Sequence, residues 1–165
     1  MQLLQKTNFI GAIVTIIFYI SAIFIFTSRL TGKQQIGHWI GIFEFFLAIP
    51  LVYLLIKAPE LNRPIIYYIQ ITLMLCWLIM ELLLDYLLNI DFRQIRWLLI
   101  TYVTIFFAAS GGMIGIAANA GKFHTIISII LFLIMAVLAF IQRIATGFWI
   151  NELPVIISAL LNFTI

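Results

Sequence analysis

Charged side chains are scarce in this sequence: Lys and Arg number 9 and Asp and Glu number 6 among 165 residues, which is 9% of the chain. Soluble domains average about 25% charged residues, so this composition excludes an ordinary water-soluble globular protein. The net charge is only +3. No basic cluster exists to neutralise several phosphates, which excludes a nucleic-acid partner.

Cysteine and histidine are equally sparse. Cys76 is the single cysteine, so an internal disulfide is excluded. The two histidines, His38 and His124, fall near opposite membrane surfaces when helices alternate across a bilayer, which disfavours a shared zinc site. Ser110 and Ser128 have no histidine base placed with them. We therefore predict no metal and no cofactor, and an intramembrane enzyme is the least favoured functional class.

Hydrophobic residues dominate the chain, at 65% of the total with a mean hydropathy of +1.21. The apolar runs are continuous over about twenty residues, whereas membrane strands alternate over about ten. The sequence therefore predicts an all-α, polytopic integral membrane bundle that forms one domain over 1–165. The predicted transmembrane helices cover 8–28, 36–57, 64–89, 97–119 and 123–142. Pro50 predicts a kink within the second helix.

The carboxyl-terminal segment 145–165 is predicted separately. Its last apolar run holds only about twelve residues, too few for an ordinary span. An interfacial or re-entrant helix is the favoured interpretation, and a shortened sixth span is the alternative.

Three carboxylates lie inside the predicted spans: Glu44 in the second helix, and Glu81 and Asp85 in the third. Carboxylates at membrane depth are costly and often mark ion or proton pathways. The spacing of four places Glu81 and Asp85 on one helical face. Arg93 or Arg96, in the following turn, is the predicted partner of Asp85 if that acid has only a structural role.

Depth counting predicts that Glu44 and Glu81 share one level of the bilayer, with Asp85 closer to the membrane surface. Gly37, near the start of the second helix, and Asn89, at the end of the third, are expected at the same membrane surface. Glu44 lies seven residues beyond Gly37, and Glu81 lies eight residues before Asn89. At 1.5 Å per residue, both lie about 10–12 Å below that surface. The predicted polar pocket opens towards the turns after the first and third helices and consists of Glu44, Glu81, Asp85, Gln70 and Thr104.

Glycines at a spacing of four predict the helix-packing faces. Close backbone approach through small residues holds helices together in lipid, where no hydrophobic force acts between them. The predicted pairs are Gly37 with Gly41 and Gly111 with Gly115.

Two functional classes remain in balance. Neighbouring buried carboxylates do not both ionise readily, so the pocket is suited to proton- or cation-linked transport. The alternative is a non-catalytic accessory or structural subunit, in which a neutral glutamic acid only joins helices. The expected partners are the lipid bilayer and either a second copy of the chain or another membrane subunit.

Overall fold

The computed structural model describes residues 2–88 and 95–145, and all the regular structure in this part of the chain is helical. A six-residue π-helical segment, Leu82–Leu87, directly continues the fourth helix. The α-helices are Gln2–Leu30 (α1), Gln34–Phe45 (α2), Ala48–Lys57 (α3), Ile65–Glu81 (α4), Arg96–Ala118 (α5) and Lys122–Ala145 (α6).

Five helical stretches in the described ranges are long and apolar enough to cross a membrane, which confirms that part of the prediction. α2 and α3 together form the second stretch, Gln34–Lys57, and α4 with the π segment forms the third, Ile65–Leu87. The predicted carboxyl-terminal helix, apart from Ala145, lies outside the described residues, as does the turn at 89–94 that contains Arg93.

The second stretch is interrupted at Phe46 and Leu47, four and three residues before Pro50. Proline has no N–H, so the helix loses one backbone hydrogen bond there. The chain instead forms tight turns, in which the N–H of Leu47 donates to Glu44 O at 2.9 Å and that of Phe46 donates to Phe43 O at 3.1 Å. Phe46 and Leu47 keep helical dihedral angles, so the second stretch tightens locally at this point, two residues after Glu44, without leaving the helical path.

α1 is the central helix and packs against α2, α3, α5 and α6. Its Phe18 is completely buried, and the ring centroid lies 5.5 Å from that of Trp77 and 6.5 Å from that of Phe106. The hydroxyl of the neighbouring Tyr19 donates to Ser110 O at 2.7 Å, which satisfies a buried polar group. The core therefore fixes α1, α4 and α5 relative to one another.

The packing glycines differ in part from those predicted. A Cβ on Gly37 would lie 2.6 Å from Ser28 Oγ, so α2 approaches α1 closely there. A Cβ on Gly111 would meet nothing within 4 Å, whereas Gly112 and Gly115 both lie against the side chain of Gln70. The close approach of α4 and α5 thus uses Gly115 of the predicted pair together with Gly112, whereas Gly111 faces open space.

α6 is the least embedded helix of the bundle. Only Ser128 and Met135 of its 24 residues are buried. Leu131 and Phe132 pack partly against the core, and many of its other large apolar side chains are exposed, as expected of a helix that faces lipid or another protein.

Candidate functional site

The three intramembrane carboxylates lie in the half of the bundle where α1 ends, α2 begins, the π segment ends and α5 begins. We refer to Glu44, Glu81 and Asp85 as the acidic cluster. A short turn connects α1 to α2 at this end. Arg29, in the last turn of α1, brings a cation to the same end.

Glu44 is the most deeply buried member of the cluster, with 3% of its surface exposed. Its Oε1 is buried and has no hydrogen-bond partner among the described residues. Glu81 and Arg29 are its charged neighbours. Since Glu44 lies ten residues into α2, it is about 15 Å along the helix from the first turn. A carboxyl oxygen at this depth is costly without a partner, so it is a ready site for a proton or a cation.

Glu81 is held by a tyrosine that the sequence argument did not include. The hydroxyl of Tyr102, on α5, donates to Glu81 Oε2. A signal for Tyr102 was present in the sequence: together with Phe106, Ala109 and Met113 it follows helical spacing, and the latter three form the buried face of α5.

Asp85 pairs with a cation from a distant part of the chain. The guanidinium of Arg29 lies 3.7 Å from Asp85 Oδ2, and the two side chains are 28% and 15% exposed. The sequence instead predicts this cation in the turn that follows Asp85, because ion-pair partners that are close in sequence are the simplest to identify. Arg29 reaches Asp85 because the close α1–α2 contact brings the end of α1 beside the acidic cluster.

Tyr86 anchors the π segment to α2. Its hydroxyl donates to His38 O at 3.0 Å, and its ring stacks on that of His38 with the centroids 4.7 Å apart. The ring of Phe45 meets Tyr86 edge-on at 5.0 Å. Gly41 leaves the necessary space, since a Cβ there would overlap the Tyr86 hydroxyl. Gly41, a predicted packing glycine, therefore makes room for the ring of Tyr86 one helical turn from Glu44.

The π segment itself was not predicted. Its wider turn is seen where the N–H of Leu88 donates to Leu83 O at 2.9 Å, five residues back. Asp85 and Tyr86 lie within this segment. π-Helical turns are rare and occur frequently at functional sites, because the extra residue changes which side chains face the interior.

Gln70 lies away from the acidic cluster. It is eleven residues before Glu81 on the same helix, which corresponds to about 16 Å along the axis. Its side chain packs against Gly112 and Gly115. Gln70 and Glu81 share a helical face, as predicted, but three turns of helix separate them. Gln70 therefore belongs to the α4–α5 packing contact and not to the acidic cluster.

Thr104 is exposed on the outer surface of α5. It lies two residues from Tyr102, and two residues turn an α-helix by about 200°. Since Tyr102 contacts Glu81, Thr104 faces away from the cluster. The structure therefore brings Glu44, Glu81 and Asp85 to one end and leaves Gln70 and Thr104 outside it.

Within residues 2–88 and 95–145, no group of three or more His, Cys, Asp or Glu side chains is arranged to hold a metal ion. What the cluster offers is a buried carboxyl group with an open oxygen, a second carboxyl group beside it and an arginine nearby. No protein-family model, curated protein or solved structure matches this chain, so its function is argued from its own residues.

Proposed function

We propose that this chain is an integral membrane protein of five spans that moves a proton or a small cation through the acidic cluster. The observation that carries the proposal is Glu44: it is 3% exposed, its Oε1 has no partner among the described residues, and Glu81 is a charged neighbour. An ionised carboxylate in a medium of low dielectric needs a bound counter-charge, so Glu44 is suited to take up a proton or a cation and release it again.

The surroundings support a site that loads from one surface. Arg29 and Asp85 are partly exposed and Glu44 is buried, so the ion pair lies nearer to the outside of the bundle than Glu44 does. Charge entering from this surface therefore meets Asp85 and Arg29 before it reaches Glu44. Arg29 is a charged neighbour of both Glu44 and Asp85. The strength of the Arg29–Asp85 ion pair therefore depends on whether Glu44 carries charge.

The turn between α2 and α3 is the second feature that supports the proposal. It begins two residues after Glu44, at Phe46. Irregular helical turns recur beside ion sites in transporters, because backbone groups freed from the regular hydrogen-bond pattern help to bind the ion. We propose that a change in angle at Phe46–Leu47 moves Glu44 from the entry surface towards the opposite one.

The test is flux into proteoliposomes that contain a pH-sensitive dye and, in parallel, tracers for sodium and potassium. We expect wild-type chain to carry flux above empty liposomes and Glu44→Gln to carry none. Glu60→Gln is the matched control, because Glu60 is 52% exposed and pairs with Lys57 at the other end of the bundle. Equal flux from Glu44→Gln and wild type would overturn the proposal.

A packing role for Glu44 makes a different prediction in the same preparations. If the acid only joins helices, Glu44→Gln should keep its hydrogen-bonding capacity and stability, and Glu44→Ala should unfold or fail to assemble. A transport site instead gives folded but inactive protein with Glu44→Gln. Thermal unfolding in detergent, measured beside the flux, separates the two roles.

A non-catalytic accessory subunit is the second candidate function, and α6 is the observation that favours it. A helix that buries only Ser128 and Met135 has most of its surface left for another chain or for lipid. The mass of the detergent-solubilised protein distinguishes these cases: a monomer that carries flux by itself removes the need for a partner.

A further inference from the structure

A second polar region lies at the end of the bundle opposite the acidic cluster. An open pocket of about 240 Å³ is present there. It lies between the start of α1 and the α5–α6 turn, at the level where a spanning bundle meets the headgroups of a bilayer. The residues that line it are mostly polar: Gln5, Asn8, Phe9, Asn119, Ala120 and His124.

Arg63 lies behind this pocket and holds two of its walls. The guanidinium Nη2 donates to Asn8 Oδ1, and Nη1 donates to Asn119 Oδ1 at 3.4 Å. Asn8 Nδ2 in turn donates to Asn119 O at 2.7 Å, so α1 and α5 are joined through the two amides. The guanidinium also covers the ring of Tyr67, 4.7 Å from its centroid. Arg63 thereby fixes the position of the pocket's amide groups.

The positive charge of Arg63 has no carboxylate within ion-pair distance among the described residues. All its hydrogen-bond acceptors are neutral, and its Nε is buried without a partner in the described part of the chain. Glu60, the nearby acid in the α3–α4 turn, pairs with Lys57 at 2.7 Å. The pocket therefore stands beside an uncompensated cation.

The amino-terminal turn of α6 reaches the pocket through His124. α6 begins at Lys122 and has no acidic residue in its first turn. The preceding residue, Gly121, has no side chain with which to cap the free N–H groups. His124 lines the pocket and is held edge-on to Phe9, with ring centroids 5.9 Å apart. Helix amino termini attract anions because the dipole and free N–H groups act together.

We propose that this pocket binds a phosphate group. Gln5, His124 and the first-turn N–H groups of α6 are the donors, and Arg63 positions Asn8 and Asn119 and supplies positive potential. Phosphate matches this set, because its several oxygens accept many donors at once while its charge balances the guanidinium. Its two sources are the headgroup of an anionic phospholipid and free inorganic phosphate. The inference rests on the proposed membrane placement and is independent of the role of Glu44.

The test uses the purified full chain in detergent and native mass spectrometry, with phosphatidylglycerol and phosphatidylcholine of matched acyl chains as probes. We expect phosphatidylglycerol to bind more tightly, and Gln5→Ala and His124→Ala to weaken it by roughly tenfold each, the scale of one charge-assisted hydrogen bond. Arg63→Gln should weaken it at least as much, and Arg63→Lys should restore part of the loss by keeping the charge. Inorganic phosphate at millimolar concentration is added in a parallel arm: displacement of the lipid supports the phosphate site and assigns it to the free ion.

Lys57→Gln is the matched control, since it removes one cation from the same end without touching the pocket. Loss of phosphatidylglycerol binding in Arg63→Gln, Gln5→Ala and His124→Ala, but not in Lys57→Gln, supports the proposal. Equal losses in Arg63→Gln and Lys57→Gln would indicate diffuse attraction between charges and would overturn it. If Arg63→Gln does not fold, unchanged lipid selectivity in Gln5→Ala and His124→Ala overturns the proposal on its own.

Discussion

Gly41→Ala tests how the π segment is held against α2. The added Cβ overlaps the hydroxyl of Tyr86, which donates to His38 O at 3.0 Å while its ring contacts His38 and Phe45. Displacing the ring sacrifices one hydrogen bond, about 0.5–1.5 kcal/mol, and an aromatic contact of similar size. The loss in free energy of unfolding is therefore about 1–3 kcal/mol before any gain from the better helix propensity of alanine.

Gly111→Ala is the matched control, because a Cβ at Gly111 meets open space and the propensity gain is the same. We expect Gly41→Ala to be less stable than Gly111→Ala by about 1–3 kcal/mol in reversible unfolding by a denaturing detergent in mixed micelles. Tyr86→Phe in the Gly41→Ala background should recover part of that difference, since it removes the overlapping hydroxyl. Equal stability of the two alanine variants, within about 0.5 kcal/mol, would refute the contact between Tyr86 and α2.

Three further outcomes follow from the packing of the bundle. Gly115→Ala should lower the free energy of unfolding by about 1–3 kcal/mol in detergent unfolding, because the added Cβ overlaps the Gln70 amide. Adding Gln70→Ala to the same chain should remove most of that loss. A double-mutant cycle on Arg29 and Asp85 should give a coupling of about 0.5–1 kcal/mol that falls as salt is added. Thr104→Val should change stability by less than about 0.5 kcal/mol and leave flux unchanged, because the side chain is exposed; a loss of flux would contradict its placement.

The sequence was sufficient to predict the helical spans, because each is a long apolar run bounded by turn residues or charges. It also predicted that Glu44 and Glu81 share one end of the bundle, since alternation across a bilayer and a rise of 1.5 Å per residue convert sequence position into depth.

Rotation about the helix axis was the quantity that the sequence did not determine. Thr104 and Tyr102 have almost the same depth on α5, but only Tyr102 faces α4. A spacing of small residues does not locate the buried side of α5, because that side also holds large residues such as Phe106 and Met113. Gly111 was predicted to pack for the same reason, whereas its neighbour Gly112 makes the contact with α4.

A helical wheel could predict neither the π segment nor the ion-pair partner of Asp85. A wheel assumes 3.6 residues per turn, and the sequence at Leu82–Leu87 has no glycine or proline to indicate a change. Arg29 is 56 residues from Asp85 in sequence, and their contact depends on the close approach of α1 and α2 at Gly37. Such contacts are set by tertiary packing and have no local pattern.

The most direct test of the account is to modify Glu44 in the wild-type chain while transport is measured. Apolar carbodiimides enter membranes and add to protonated carboxyl groups, and peptide mass spectrometry then identifies the modified residue. The account predicts that flux into proteoliposomes falls in proportion to the fraction of Glu44 modified, whereas modification of Glu60 leaves flux unchanged. Full flux from protein in which Glu44 is completely modified would contradict it.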